Sequence, residues 1–229
     1  MSVDGSLRAS VVRGFLWVGA GTFVGQFVSW ISTILVIRML EPADYGLMAM
    51  CMSFIWLLVL MSDIGISASL IQAQEITEEE IRKVYGLVIL CSLAFVVLGH
   101  VSAPFIASFY DEPRLVNMIR VMNLSFLLTG LYIVPQSIAI REMDFKTKAT
   151  VDMASQIVGA IVTVVLAMSG AGVWTLATGL LAAQALKAVA FNIPRRLRTL
   201  PLFDLRSIRT FVNYGLAITG GRLAYYLYS

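Results

Sequence analysis

The sequence predicts an all-α fold, a polytopic membrane helix bundle of about seven transmembrane helices. Composition is the first reason: 59% of residues are hydrophobic and 14% charged, where a soluble domain is about 45–50% apolar and about 25% charged. The second is distribution, because the apolar residues gather into seven runs, each near the roughly 20 residues that span a bilayer core. The third is pattern: no run has the sparse alternation of a membrane β-strand.

The first run, 14–37, follows a start that is polar to Ser10, and it is too long for the apolar core of a signal peptide. The second, 45–71, is preceded by Pro42, which suits a first helical turn. Before the third, 84–109, Thr77 and Glu80 have the T-x-x-E spacing of a capping box, with Glu78 and Glu79 as acids at a helix start. The fourth, fifth and sixth runs are 115–140, 151–169 and 173–193, and the seventh begins at Phe211. Tyr45, Tyr85, Tyr110 and Trp174 lie near run ends, as an interfacial aromatic belt predicts. Cys51 and Cys91 fall inside apolar runs and read as buried small hydrophobes rather than a disulfide or metal pair.

Charge sets the expected orientation. With the N-terminus in the cytoplasm, thirteen of the 17 Lys and Arg residues fall on the inner side. They are Arg8 and Arg13, then Arg82 and Lys83, then Arg141, Lys146 and Lys148, and finally Lys187 with the loop from Arg195 to Arg209. The positive-inside rule therefore predicts a cytoplasmic N-terminus. The basic loop "PRRLRTLPLFDLRSIR" reads as a topogenic segment beside anionic membrane lipids, not as a nucleic-acid site.

Catalytic chemistry needs nucleophiles or titratable groups clustered with an orienting partner. The only histidine, His100, lies between Gly99 and Val101 inside the third run and reads as a buried hydrogen-bonded side chain. No glycine-rich phosphate loop, H-E-x-x-H or paired-carboxylate motif occurs, so no cofactor or metal is implied. The expectation is a non-enzyme, with transport or assembly as its task.

Four stretches at helix boundaries narrow that expectation: "RMLEPADYGLMAM" (38–50), "SDIGISASLIQ" (62–72), "PQSIAIREMDFKTKA" (135–149) and "GAGVWTLATG" (170–179). In this order the chain resembles the Wzx-type polysaccharide and lipopolysaccharide flippases of the multidrug/oligosaccharidyl-lipid/polysaccharide exporter superfamily. That resemblance implies a two-lobed bundle of twelve to fourteen helices around a central cavity. It implies alternating access in the bacterial inner membrane, with undecaprenyl-pyrophosphate-linked sugar units as cargo and polysaccharide assembly proteins as further partners. The chain holds about half of those helices.

In this superfamily the second lobe repeats the first. Laying "RGFLWVGAGTFVGQFVSW" over "RTFVNYGLAITGGRLAYY" pairs Arg13 with Arg209, Phe15 with Phe211, Gly19 with Gly215 and Gly25 with Gly221, an offset of 196 residues. The expected organisation is a six-helix lobe over 1–208, then the first helix of a truncated second lobe over 209–229. A half-size protein that dimerises is the alternative.

The overlay also places Gln26 opposite Arg222, each roughly 16–20 Å into its helix and so near mid-membrane. A charge there costs on the order of 2.5–3.5 kcal/mol and turns towards a cavity or a partner. Three cavity candidates follow: Arg222 as an anion contact, Gln26 as a hydrogen-bonder to sugar, and Asp63 as an ion-coupling site or a buried helix breaker before Gly65. Arg120, Asp152 and Lys187 lie closer to helix ends and read as side chains that extend to the interface. Gly14, Gly21 and Gly25 read as positions where helices approach closely. The expected function is export of lipid-linked oligosaccharide. An ion-coupled drug or metabolite antiporter, or a non-transporting assembly scaffold, is the competing reading.

Overall fold

The computed structural model describes residues 3–62, 70, 76–193 and 201–203, with the side chains of the first helix described from Gly21 onward. The described residues form seven helices and no strand: α1 (Val3–Ile37), α2 (Pro42–Ser62), α3 (Glu78–Phe109), α4 (Leu115–Met122), α5 (Leu124–Arg141), α6 (Phe145–Met168) and α7 (Trp174–Asn192). Five stretches are long and apolar enough to cross a membrane, α4 and α5 together making one, and Gly21–Ile37 is a shorter apolar helical stretch. The expected span from Phe211 lies outside the described residues, so the architecture is a multi-pass helical bundle with no count of seven attached to it.

Local chemistry sets the boundaries. Pro42 opens α2 as the first-turn preference for proline demands. Thr77 caps α3: its hydroxyl accepts from the Glu80 N–H while the Glu80 carboxylate accepts from the Thr77 N–H at 2.8 Å. Asp144 caps α6 by accepting the Thr147 N–H at 3.1 Å. α1 begins well before the apolar run, because a helix satisfies its own backbone and continues through the polar residues ahead of it.

The expected fourth span is broken at Asn123, between α4 and α5. Asn123 is fully buried, and its Nδ2 donates to the Phe95 and Val96 carbonyls of α3 at 3.2 and 2.6 Å. Gly99 sits against this amide, where a Cβ would collide with it. Asparagine in apolar surroundings must find partners, and those on the neighbouring helix hold the break in place.

Helix packing follows small residues. α6 lies between α1 and α7. Gly21 meets the Ala149 methyl, Gly25 meets the Gln156 amide, and Ser32 Oγ donates to the Ala160 carbonyl at 3.4 Å. On the other side, a Cβ at Gly159 would stand 3.0 Å from both the Ala183 Cβ and the Gly179 carbonyl. Close approach at Gly21 and Gly25 is thus as expected; Gly14 lies outside the described side chains. Two apolar clusters fill the remaining space. One joins Leu47, Cys51 and Phe54 of α2 to Leu115, Met118 and Met122 of α4, and the other joins Leu70, Val84 and Val88 to Val134 and Ile138.

The aromatic belt needs one correction. Tyr85 is buried, its hydroxyl 2.9 Å from the Leu131 carbonyl and 3.1 Å from Asn192 Oδ1. Its ring fills the second apolar cluster, so it anchors helices to one another and not to an interface. Tyr110 and Trp174 remain exposed.

Candidate functional site: a polar helix face and a charged seam

The four boundary stretches meet in pairs at opposite ends of the bundle. At one end, Arg141 Nη1 donates to the Leu70 carbonyl at 2.9 Å, joining the third stretch to the second. The Leu202 N–H donates to the Arg82 carbonyl at 2.9 Å in the same region, and the Leu202 backbone lies against Gly86. At the other end, Asp44 of the first stretch accepts the Val173 N–H of the fourth at 3.0 Å. α7 has no side-chain cap of its own, so Asp44 caps it from across the bundle. Gly172 beside it has φ +57 and lies against the Asp44 carboxylate. Glu112 and Arg114, in the loop before α4, pair through two contacts of 2.9 Å. The hydrogen bonds from Arg114 hold the Glu112 carboxyl below the usual carboxylate range.

Of the three cavity candidates, Gln26 is described, while Arg222 and Asp63 lie outside the described residues. Gln26 is exposed on α1, next to the glycine that seats Gln156. It belongs to a polar stripe. Thr22, Gln26 and Thr33 are exposed and Ser29 is half-exposed, at a spacing that puts all four on one helix face. Thr33 Oγ1 donates to the Ser29 carbonyl at 2.8 Å, leaving the Gln26 amide as the strongest free hydrogen-bonding group of the stripe. Around the rest of α1, Phe23, Phe27, Trp30, Ile31 and Ile34 are exposed and apolar, as lipid contact requires. The stripe was readable in the sequence as 22, 26, 29, 33, but only Gln26 stands out by eye because threonine and serine are common in membrane helices.

A second feature corrects the reading of Asp152 and Lys187 as separate interfacial anchors. Asp152 on α6 accepts from Lys148, one turn earlier, at 2.6 Å and lies 2.7 Å from Lys187 Nζ on α7. Lys187 Nζ stands 5.8 Å from the centre of the Tyr132 ring on α5. Two residues at equal depth on antiparallel neighbours find each other instead of reaching outward, since pairing in a low-dielectric setting outweighs stretching to water. The Lys148–Asp152 spacing was visible in the sequence; the tie to Lys187 needed the register of α6 on α7. Arg120 remains exposed on α4, and His100 Nδ1 lies 2.9 Å from the Val96 carbonyl, so His100 is hydrogen-bonded as expected but only half-buried. Among the described residues, no group of three or more His, Cys, Asp or Glu side chains gathers to hold a metal.

Residues 35–229 match the family model described as polysaccharide biosynthesis protein. The chain belongs to that family. Curated relatives extend the match to nearly the whole chain. The succinoglycan biosynthesis transport protein ExoT of Rhizobium meliloti is 23% identical over 90% of this chain and 41% of its own length. The teichuronic acid biosynthesis protein TuaB of Bacillus subtilis is 25% identical over 95% of this chain and 46% of its own. The lipopolysaccharide biosynthesis protein WzxC of Escherichia coli is 23% identical over 97% of this chain and 46% of its own. The chain thus spans less than half the length of these relatives. No solved structure matches the chain. Membership agrees with the Wzx-type resemblance that the four boundary stretches carry.

Proposed function

We propose that this chain forms one lobe of an exporter that moves lipid-linked polysaccharide repeat units across the bacterial inner membrane by alternating access. The observation that carries the proposal is the polar face of α1. Three exposed hydrogen-bonding side chains, Thr22, Gln26 and Thr33, with the half-exposed Ser29, line a helix whose other exposed face is apolar. Lipid offers such groups no partners, so a face of this kind belongs against water, a polar cargo or another lobe. Amides and hydroxyls are also the groups that exchange hydrogen bonds with sugar hydroxyls. The relatives' roles in succinoglycan, teichuronic acid and lipopolysaccharide biosynthesis support a polysaccharide cargo.

In this reading Gln26 contacts sugar, Arg222 attracts the negative charge of the cargo, and Asp63 takes part in ion coupling. The six-helix lobe ends near residue 208, and 209–229 opens a second lobe. The end carrying Leu70, Arg82, Arg141 and Leu202 is cytoplasmic, because the loops there hold most of the basic residues.

Translocation of a lipid-linked repeat unit, measured in vesicles carrying the full-length parent protein, tests the proposal. Gln26→Leu is expected to reduce transport at normal protein abundance, while Phe27→Leu on the apolar face leaves it unchanged. A wild-type protein that moves an organic cation but no lipid-linked sugar would establish the antiporter reading. Polysaccharide assembly that survives without any translocation by the protein would establish the scaffold reading.

A further inference from the structure

The charges on the α6–α7 seam do not balance. Asp152 supplies one negative charge and is shared by Lys148 and Lys187, at 2.6 and 2.7 Å. One positive charge is therefore left over, and Lys187 gains only the face of the Tyr132 ring beyond the carboxylate. The three side chains are 27%, 23% and 19% exposed, under cover but within reach of a small ion. Asp152 lies seven residues beyond Phe145, about 10 Å along α6 from its start. Asp152 is only the second residue of the apolar run 151–169 and Lys148 precedes it, so the cluster lies at the membrane edge, where a half-covered surplus cation attracts an anion.

The neighbouring turns hold polar atoms that lack partners. Ser155 Oγ and Gln184 Oε1 are buried without a hydrogen-bond partner among the described residues. Gly159 faces Ala183 and Gly179 across the seam, so one turn towards the ion pair Ser155 comes level with Gln184, about one turn from Asp152 and Lys187. Ser155 can donate a hydrogen bond to an oxyanion, whereas the lone Gln184 Oε1 is an acceptor and gives an anion no hydrogen bond. On α1 at this level stand Gly21 and Gly25, which bring no charge.

We infer that Lys148 and Lys187 form a binding site for a phosphate group, in which Asp152 is a built-in competitor. With no anion present, the carboxylate holds the two ammonium groups in place. A phosphodiester or diphosphate oxygen then shares them, the cluster approaches neutrality, and the Ser155 hydroxyl completes the shell. Lysine suits this role because its ammonium is a mobile point charge that turns readily from one oxyanion to another. The phosphate comes either from a membrane-lipid headgroup or from the diphosphate of a lipid-linked cargo, and the second source rests on the export reading above.

Thermal unfolding of the full-length protein in neutral detergent, titrated with inorganic diphosphate against chloride at equal ionic strength, tests the site. A saturable rise in the unfolding midpoint is expected. Lys148→Gln and Lys187→Gln should each abolish most of it. Asp152→Asn should lower the starting midpoint yet bind diphosphate roughly tenfold more tightly, because a competing negative charge within hydrogen-bond distance is removed. A carboxylate that only clamps two helices would not give that combination. The inference is overturned if wild type shows no diphosphate-specific rise, if both lysine variants keep it, or if Asp152→Asn binds more weakly. Nanodiscs separate the sources. Stabilisation by phosphatidylglycerol over phosphatidylcholine, with diphosphate no longer binding, assigns the site to lipid. Diphosphate binding that is undiminished in phosphatidylglycerol assigns it to cargo. A wild-type protein that exports no polysaccharide but binds diphosphate would refute the export reading and leave the site standing.

Discussion

Asn123→Ala removes the one buried amide that ties the α4–α5 break to α3. The wild-type side chain donates to two carbonyls, at 3.2 and 2.6 Å, from a fully buried position. Hydrogen bonds between membrane helices average about 0.6 kcal/mol and reach about 1.7 kcal/mol. Two of them, plus the volume lost on truncation, give an expected destabilisation of about 1–3 kcal/mol. Asn123→Asp should cost more, since it turns a carboxyl oxygen towards a carbonyl that now receives a donor. Gly99→Ala attacks the same contact from α3, because its new methyl would overlap the Asn123 amide. Overpacking of this kind costs about 1–3 kcal/mol. The two substitutions share one contact, so the double variant Gly99→Ala/Asn123→Ala should be less destabilised than their sum by about 1 kcal/mol or more. The assay is reversible unfolding in mixed micelles, followed by helix-specific fluorescence for all four variants. An Asn123→Ala protein within about 0.3 kcal/mol of wild type, or strict additivity in the double variant, would refute the reasoning.

Three further outcomes are expected. With Cys51 and Cys91 replaced by alanine, single cysteines at Ile76, Glu142 and Phe203 should label from one side of the membrane and those at Glu41, Glu112 and Gly170 from the other; mixed labelling within either set would break the two-ended arrangement. Gly179→Val places a branched side chain against Thr163 and the Gly159 carbonyl, so it should push α6 and α7 apart and cut folded yield, while Gly46→Ala, which meets nothing within 4 Å, should not. Glu112 has its carboxyl held below the ordinary carboxylate range by Arg114, so the pair should stay intact above that range and be lost only as pH falls through the lowered value. Carboxyl-selective infrared titration of wild type against Arg114→Gln checks the direction, and an unchanged Glu112 titration would contradict it.

Much of this protein was legible in the chain itself. In a bilayer the backbone has to satisfy its own hydrogen bonds, so an apolar run of sufficient length becomes a helix whatever its neighbours do. Helix type, the Pro42 and Thr77–Glu80 starts, and the tight approach at Gly21 and Gly25 all rest on that local rule or on spacing along one element, while the four boundary stretches carry a family resemblance. The tertiary structure decided everything that depends on which helix lies beside which. Asn123 breaks a run that reads as continuous, because its partners are carbonyls on α3. Tyr85 turns inward because Leu131 and Asn192 offer its hydroxyl partners there. Asp152 reads as an interfacial carboxylate until the register of α6 on α7 brings it Lys187. The polar stripe of α1 likewise gains its meaning from the covered faces beside it. A polar group inside a membrane must find a partner, and sequence separation says nothing of where that partner is.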